Sequence, residues 1–369
     1  MSHTLSIAVI EGDGIGQEVI PEGIRVLEAV AALRGFELQI DHKPWGNCGY
    51  YAQTGSMMPA DWKQDLQGYD AIFLGAIGWP ATVPDHLSLW GSLLKIRREF
   101  DQYINLRPVK LFQGVPCPLA NKTSSDIDFW IVRENTEGEY TDIGGVMFAG
   151  TERELVLQQS VHTRFGSDRV LNYALNLAQQ SQRKTLTVAT KSNGLAVSMP
   201  WWDDRAKTLA AEYPDVKLDT QHIDALCARF VLAPEKLNVV VGPNLFGDIL
   251  SDLGPACAGT LGIAPSANLN PGGIFPSLFE PVHGSAPDIA GQNVANPIGA
   301  IWSASMLLEY SRNTTRTHQE ASADIMRAIQ ATLAGNILTR DLGGNASTTD
   351  LTDALLDHLK QDNGCASNK

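Results

Sequence analysis

The sequence predicts an α/β protein built on an open, mostly parallel sheet with helices on both faces. Two observations carry this. Short apolar runs alternate with amphipathic stretches along the chain, the pattern of repeated strand–helix units. A chain of 369 residues, 44% of them hydrophobic, is also long and apolar enough for two domains or one large α/β domain.

The elements follow in order. Residues 5–10 form a short apolar strand. Gly12-Asp13-Gly14-Ile15-Gly16 makes a tight turn into an amphipathic helix reaching about Leu33. Strands are predicted over 36–40 and 71–74, the latter ending in Gly75. Residues 88–103 read as one helix, with Trp90, Leu93, Leu94 and Arg97 on a single stripe at i, i+3, i+4 and i+7. Buried strands are predicted over 129–132, 185–190 and 237–241, and helices over 164–180, 198–212, 244–253, 297–310, 320–334 and 350–360. Asn296-Pro297 supplies a helix start, with Asn as cap and Pro at the first position. Ile143-Gly144-Gly145 and Asn270-Pro271-Gly272-Gly273 read as hairpins or arms, and the polar stretch 363–369 is expected to fray. No internal repeat, low-complexity linker or shift of composition marks a domain boundary.

The formal net charge of -13, with no run of Lys or Arg, argues against nucleic-acid and membrane-surface partners. Clustered arginines can still reverse the potential locally for an anionic substrate. The five cysteines, an odd number without metal-type spacing, read as reduced thiols. The first residues do not read as a signal peptide, and no apolar run approaches the ~20 residues that span a bilayer. The cytoplasm is the expected compartment.

Several residues invite chemistry. Asp248 and Asp252 lie four apart on a predicted helix, so both carboxylates leave one face a turn apart. Their repulsion calls for compensation. A hard divalent cation would provide it, and the same spacing suits a solvated acidic face. The helix follows an apolar strand, and open α/β sheets bind ligands at carboxyl ends of strands. Arg97, Arg107 and Arg133 together could hold a dicarboxylate by paired hydrogen bonds, while each alone reads as an ordinary ion-pairing arginine. Lys191 at a strand end and Tyr140 are candidate proton-transfer groups, or structural residues. The first glycine cluster lacks the spacing of a dinucleotide fingerprint, because position 17 is Gln. The segment Glu280-Pro281-Val282-His283-Gly284-Ser285-Ala286-Pro287-Asp288-Ile289-Ala290-Gly291 is dense in turn formers, which allow close approach of backbone to a ligand. Asp288 there would accept from ribose hydroxyls and repel a 2′-phosphate; the alternative is a plain surface loop.

These motifs, with Asn105-Leu106-Arg107-Pro108, Val132-Arg133-Glu134 and Thr190-Lys191-Ser192-Asn193, stand in the order seen in the β-decarboxylating dehydrogenases. Through nearly its whole length the chain resembles this isocitrate/isopropylmalate dehydrogenase family. The resemblance implies a two-domain isopropylmalate-dehydrogenase-like fold rather than the usual Rossmann one, with residues 1–102 and 262–369 binding the cofactor and 103–261 forming the metal-, substrate- and dimer-forming domain. It implies that Arg97, Arg107 and Arg133 grip substrate carboxylates, that Tyr140 and Lys191 are the acid/base pair, and that Asp224, Asp248 and Asp252 bind Mn²⁺ or Mg²⁺. His283, Gly284, Asp288 and Asn296 would form the adenosine site. It further implies a homodimer in which Lys191 and Asp224 serve the partner's site, with tetramer as the alternative.

Asp288 followed by Ile289 stands where NADP-dependent relatives carry Lys nearby, so the implied cofactor is NAD⁺. The segment from Ser88 to Tyr103, with Trp90 where isopropylmalate enzymes usually have Glu, looks like the D-malate/tartrate branch, in which K⁺ activation is also plausible. The expected reaction is oxidation and decarboxylation of D-malate to pyruvate and CO₂, or oxidation of tartrate. Leu93 and Leu94 stay apolar, which keeps 3-isopropylmalate as the nearest rival substrate. A non-catalytic regulatory or ligand-binding homologue is the rival of another class, and all eight functional positions from Arg97 to Asp252 are retained against it.

Overall fold

A computed structural model describes the backbone of residues 4–366 and side chains through residue 361. The chain divides into two compact units, Met1–Gln102, Lys110–Ser124 and Ala258–Lys369 in the first, Tyr103–Val109 and Ser125–Cys257 in the second. Compared with a middle domain of 103–261, residues 110–124 and 258–261 fall with the first unit.

The first unit opens with β1 (Leu5–Gly12), α1 (Gly16–Arg34), β2 (Leu38–His42), α2 (Cys48–Thr54), α3 (Trp62–Leu66), β3 (Ala71–Ala76), α4 (Asp85–Trp90) and α5 (Leu93–Glu99). Next come β4 (Ile104–Lys110), β5 (Asp128–Glu134), β6 (Gly144–Met147), β7 (Leu155–Gln158), α6 (Arg164–Gln180), β8 (Thr185–Thr190), α7 (Ser198–Ala210), β9 (Lys217–His222), α8 (Ile223–Leu232), β10 (Val239–Gly242) and α9 (Asn244–Ala258). The chain closes with β11 (Pro265–Leu269), β12 (Ser277–Pro281), α10 (Ile298–Tyr310), α11 (Arg316–Ala334) and α12 (Thr348–Ala366).

In the first unit the strands run in the order β2-β1-β3-β12-β11. All its pairings are parallel except β11 with β12. That hairpin turns through Asn270-Pro271-Gly272-Gly273, where the Asn270 side chain accepts from the Ile274 amide at 3.1 Å. The order in the second unit is β4-β5-β10-β8-β9, with β10 parallel to β5 and β8, and β8 parallel to β9. Fully buried strands such as β3 and β10 explain their unbroken apolar sequences, since both faces are covered by helices.

The core of the first unit lies between β1, β3, α1 and α10. Trp62, Phe100 and Phe275 pack ring to ring at 5.4 and 5.1 Å. In the second unit Phe129 meets Phe230 edge-on at 5.2 Å, and Trp202 is fully buried. Each such side chain stabilises its unit by roughly 1.5–3 kcal/mol through burial.

Three local expectations need amendment. The helix over 88–103 is broken: α4 ends at Trp90, Ser92 leaves helical geometry at φ -135 and ψ -91, and α5 starts at Leu93. Trp90 and Arg97 therefore do not share one straight stripe; Trp90 is 39% exposed and Arg97 is buried. Regular helix before α10 starts at Ile298, one residue later than expected. Pro297 is therefore the N-cap rather than the first helical residue, and the Asn296 side chain, one position earlier, accepts from the Ile298 amide at 3.1 Å. The helix α12 continues through Ala366, across part of the stretch expected to fray, and residues 367–369 lie outside the described residues.

The turn between β1 and α1 is tight because Gly12 and Gly14 take φ +75 and +55, a region costly for side-chain-bearing residues. The arm β6–β7 is an antiparallel pair whose Val146, Met147, Leu155, Val156 and Leu157 are all exposed. Among the described residues no helix is long and apolar enough to cross a membrane.

Candidate active site

In the second unit, Arg133 lies near the carboxyl end of β5 beside Gly242 at the end of β10, and α9 begins two residues later. The backbone thus delivers a buried guanidinium against the first turns of α9. The Arg133 Nε and Nη2 groups donate to Asn244 Oδ1 at 3.0 and 2.8 Å, and Nη1 donates to Asp248 Oδ1. Asn244 is itself oriented, because its amide Nδ2 donates to the Glu137 carbonyl at 2.8 Å. The Tyr140 hydroxyl donates to the other Asp248 oxygen at 2.5 Å, and its ring lies 5.2 Å from the Arg133 guanidinium. Gly247 makes this approach possible, since a Cβ there would stand 2.6 Å from Arg133 Cβ and Cγ.

Next to Arg133, the buried Glu134 carboxylate accepts from the Thr136 amide and hydroxyl and the Glu137 amide at 2.8–2.9 Å. Burial pushes its pKa up, against the pull of those donors. It ties the loop carrying Tyr140 back to β5.

On β4, Arg107 donates through Nε to Asn105 Oδ1 at 3.0 Å and through Nη1 to Asp252 Oδ1 at 3.1 Å. Asp248 and Asp252 share one face of α9 as their spacing predicts, and each has an arginine counterion within the unit. Their carboxylates are 34% and 64% exposed, whereas the two arginines are buried. Two carboxylates, two guanidiniums and a phenol therefore form one cluster whose acids can reach a ligand.

Lys191 follows β8, and Asp224 lies in the first turn of α8. The β8–β9 register pairs Thr190 with His222, which brings the two side chains together at 2.9 Å. The Lys191 ammonium holds the Asp224 carboxyl below its ordinary pKa. Among the described residues no three acidic, His or Cys side chains gather as a metal-binding group. Asp224 thus does not join Asp248 and Asp252 within one chain.

Arg97 belongs to the first unit. It is buried and donates through Nη2 to Glu280 at 2.9 Å, and Glu280 also accepts from Asn268 at 2.8 Å. The same unit contains a cavity of about 530 Å³ lined by Ile15, His283, Asp288, Ile289, Asn296, Arg340 and Asp341, among others. Three of the predicted adenosine residues, His283, Asp288 and Asn296, are brought together there; Gly284 adjoins, its carbonyl 3.0 Å from His283 Nδ1. Burial pushes the His283 pKa down. The Asn296 amide donates to Asp341 at 3.1 Å.

Sequence reasoning passed over Asn244, Glu134, Asn105, Arg340 and Asp341. Asn244 opened a segment already singled out, and its position at the start of a helix after a strand was the available signal. Nothing local distinguishes Arg340 and Asp341, which reach the cavity from a turn about 45 residues beyond Asn296.

The profile of the isocitrate/isopropylmalate dehydrogenase family matches residues 6–355. The chain is 61% identical to D-malate dehydrogenase [decarboxylating] of Escherichia coli (strain K12), over 96% of this chain and 98% of that protein. It is 60% identical to tartrate dehydrogenase/decarboxylase of Pseudomonas putida, over 97% and 98%. The crystal structure of isocitrate dehydrogenase from Methylococcus capsulatus superposes with a TM-score of 0.85 at 30% identity, covering 97% of this chain and all of that one. With a family profile spanning almost all of the sequence and full-length relatives at this identity, the chain belongs to the isocitrate/isopropylmalate dehydrogenase family, in the branch of the decarboxylating D-malate and tartrate dehydrogenases.

Proposed function

We propose that this protein is an NAD-dependent oxidoreductase that converts D-malate to pyruvate and CO₂ and oxidises tartrate, with Mn²⁺ or Mg²⁺ bound and K⁺ as an activator. The cluster of Arg107, Arg133, Tyr140, Asp248 and Asp252 carries the reading. It offers guanidiniums for carboxylates, a phenol for proton transfer and paired acids for a cation, and relatives named for these substrates share its family.

The metal fits in part within one chain. Asp248 and Asp252 are hard oxygen donors a turn apart, the ligand type that Mg²⁺ and Mn²⁺ prefer, and a third acid must come from elsewhere. We assign it to Asp224 of a second copy, delivered with Lys191. The exposed apolar arm β6–β7 supports a homodimer, since contiguous apolar surface of this kind marks interfaces. A divalent cation bound there would act as a Lewis acid on the substrate hydroxyl and the ketone it becomes. We assign the dinucleotide to the first unit's cavity, whose size, that of a small-molecule site, supports the reading, and when bound it would take up the hydride.

The residues' own tasks follow. Arg107 and Arg133 hold substrate carboxylates, and Arg133 is pre-set by Asn244. Lys191, in its neutral amine form, accepts the proton of the substrate hydroxyl as hydride leaves the carbon that bears it. The β-keto acid then loses CO₂, and Tyr140 supports protonation of the enol carbon to give pyruvate. Five cysteines, an odd number without metal-type spacing, suit a reducing compartment, so we place the protein in the cytoplasm.

The test is NADH formation over D-malate, L- and meso-tartrate and 3-isopropylmalate, with and without Mn²⁺, and with CO₂ measured. D-malate-dependent NADH with equimolar CO₂ is expected. A kcat/KM higher for 3-isopropylmalate than for D-malate would replace the substrate assignment, and metal-independent turnover would remove the cation.

A further inference from the structure

The loop between β12 and α10 lines the first unit's cavity, yet residues 286–296 contain no helix or strand. Its backbone takes positive φ at three places, Ala286 (φ 40), Gly291 (φ 79) and Asn293 (φ 55). A segment of this kind keeps its shape only if other groups hold it. One of them is Glu18, in the first turn of α1. Its Oε1 accepts from the Gly291 amide at 2.6 Å, and its Oε2 accepts from the Asn293 amide at 2.9 Å.

Both oxygens of one carboxylate are thus committed to two backbone donors of the loop. The negative charge also stands at the positive end of α1. Before Glu18, the Ile15 amide donates to the Ser285 carbonyl at 2.9 Å, so a single turn of α1 fastens the loop at two ends. Asp288 lies between those fastenings, and its carbonyl accepts from Gln292 at 2.8 Å.

We propose that Glu18 is a positioning residue for dinucleotide recognition. It holds the loop in the bound-state shape and so presents Asp288 and Ile289 to the adenosine half, without touching the ligand. The inference rests on the dinucleotide reading given above. Without Glu18, the Gly291 and Asn293 amides turn to water and the loop must be ordered at the moment of binding, which weakens affinity. Glu18→Gln keeps one acceptor but sets an NH₂ against the second amide, and so breaks half the clamp.

The test uses full-length protein and NADH. Kd is measured by fluorescence titration, amide hydrogen exchange over 284–296 by mass spectrometry, and KM and kcat with D-malate. Glu18→Ala is expected to raise the NADH Kd about tenfold and to speed exchange at 291–293. Glu18→Gln should fall between it and the wild type. The KM for D-malate, kcat at saturating NAD⁺ and exchange across β5 and β10 should stay within twofold. Faster loop exchange with Kd unchanged would overturn the positioning role, and unchanged exchange would overturn the clamp. Wild-type protein that binds no NADH would overturn the dinucleotide reading and this role with it; exchange rates at 291–293 would still report the clamp separately.

Discussion

Replacing Gly247 by alanine tests the site's central geometry. The new Cβ would stand 2.6 Å from Arg133 Cβ and Cγ and 3.0 Å from its Cα, where ordinary contact begins at 3.4 Å. Something must yield by the difference, 3.4 less 2.6, or 0.8 Å. The Arg133 side chain is tied to Asn244 and Asp248 at three points, so the yielding element is the start of α9, whose second turn carries Asp248. Overpacking of this kind costs about 1–3 kcal/mol. Alanine returns about 1 kcal/mol through helix propensity, leaving a net loss of roughly 0–2 kcal/mol. Misplacing groups by about 1 Å in a reacting assembly can cost on the order of 10²-fold in rate. The expected signature is therefore a melting point lower by a few degrees beside a D-malate kcat/KM lower by ten- to a hundredfold. Paired measurements of thermal unfolding and initial rates decide it. Activity within twofold of wild type would show that the contact between α9 and β5 does not set the reacting geometry.

Other outcomes follow from the same geometry. Lys191→Ala should lower kcat by about 10²–10⁴-fold, the usual span for a lost proton-transfer group, with thermal unfolding unchanged because its partner Asp224 is exposed. In the same variant the Asp224 carboxyl should titrate closer to its ordinary range by NMR, since the cation holding it low is gone. Tyr140→Phe removes the donor to Asp248 and should reduce kcat by about a hundredfold while the KM for D-malate changes little. Asp288→Lys should shift the NAD⁺/NADP⁺ ratio of kcat/KM toward NADP⁺. Because burial lowers the folded-state pKa of His283, its contribution to stability is intact above about pH 6.5 and declines as the pH falls below that value; His283→Asn should flatten this part of the melting-point profile.

The parts of the fold readable from sequence are those whose packing is uniform along their length. β8 occupies 185–190 and α6 occupies 164–180, as expected, because one is buried on both faces and the other is cleanly amphipathic. β4 escaped because Arg107 and Pro108 interrupt its apolar pattern, although Ile104, Leu106 and Val109 are fully buried. β9, Lys-Leu-Asp-Thr-Gln-His, has no apolar run at all and exists because β8 offers it a ladder. The site was legible as residue types in motifs and not as partners. Arg133 with Asn244 spans 111 positions and Arg97 with Glu280 spans 183, and local pattern carries no information over such distances. Within the chain Asp248 and Asp252 are met by Arg133 and Arg107, partners that local spacing did not announce.

The helix α10 is buried from Ile298 through Leu308, so its entire circumference faces protein. It is therefore part of the folding core, and a substitution along it endangers the whole unit. The lining of the first unit's cavity is different: Asp288 and Arg340 stand on exposed turns that can change at little cost to folding. Natural drift or directed evolution can thus edit those turns and, on the dinucleotide reading proposed above, retune which cofactor binds while α10 stays as it is.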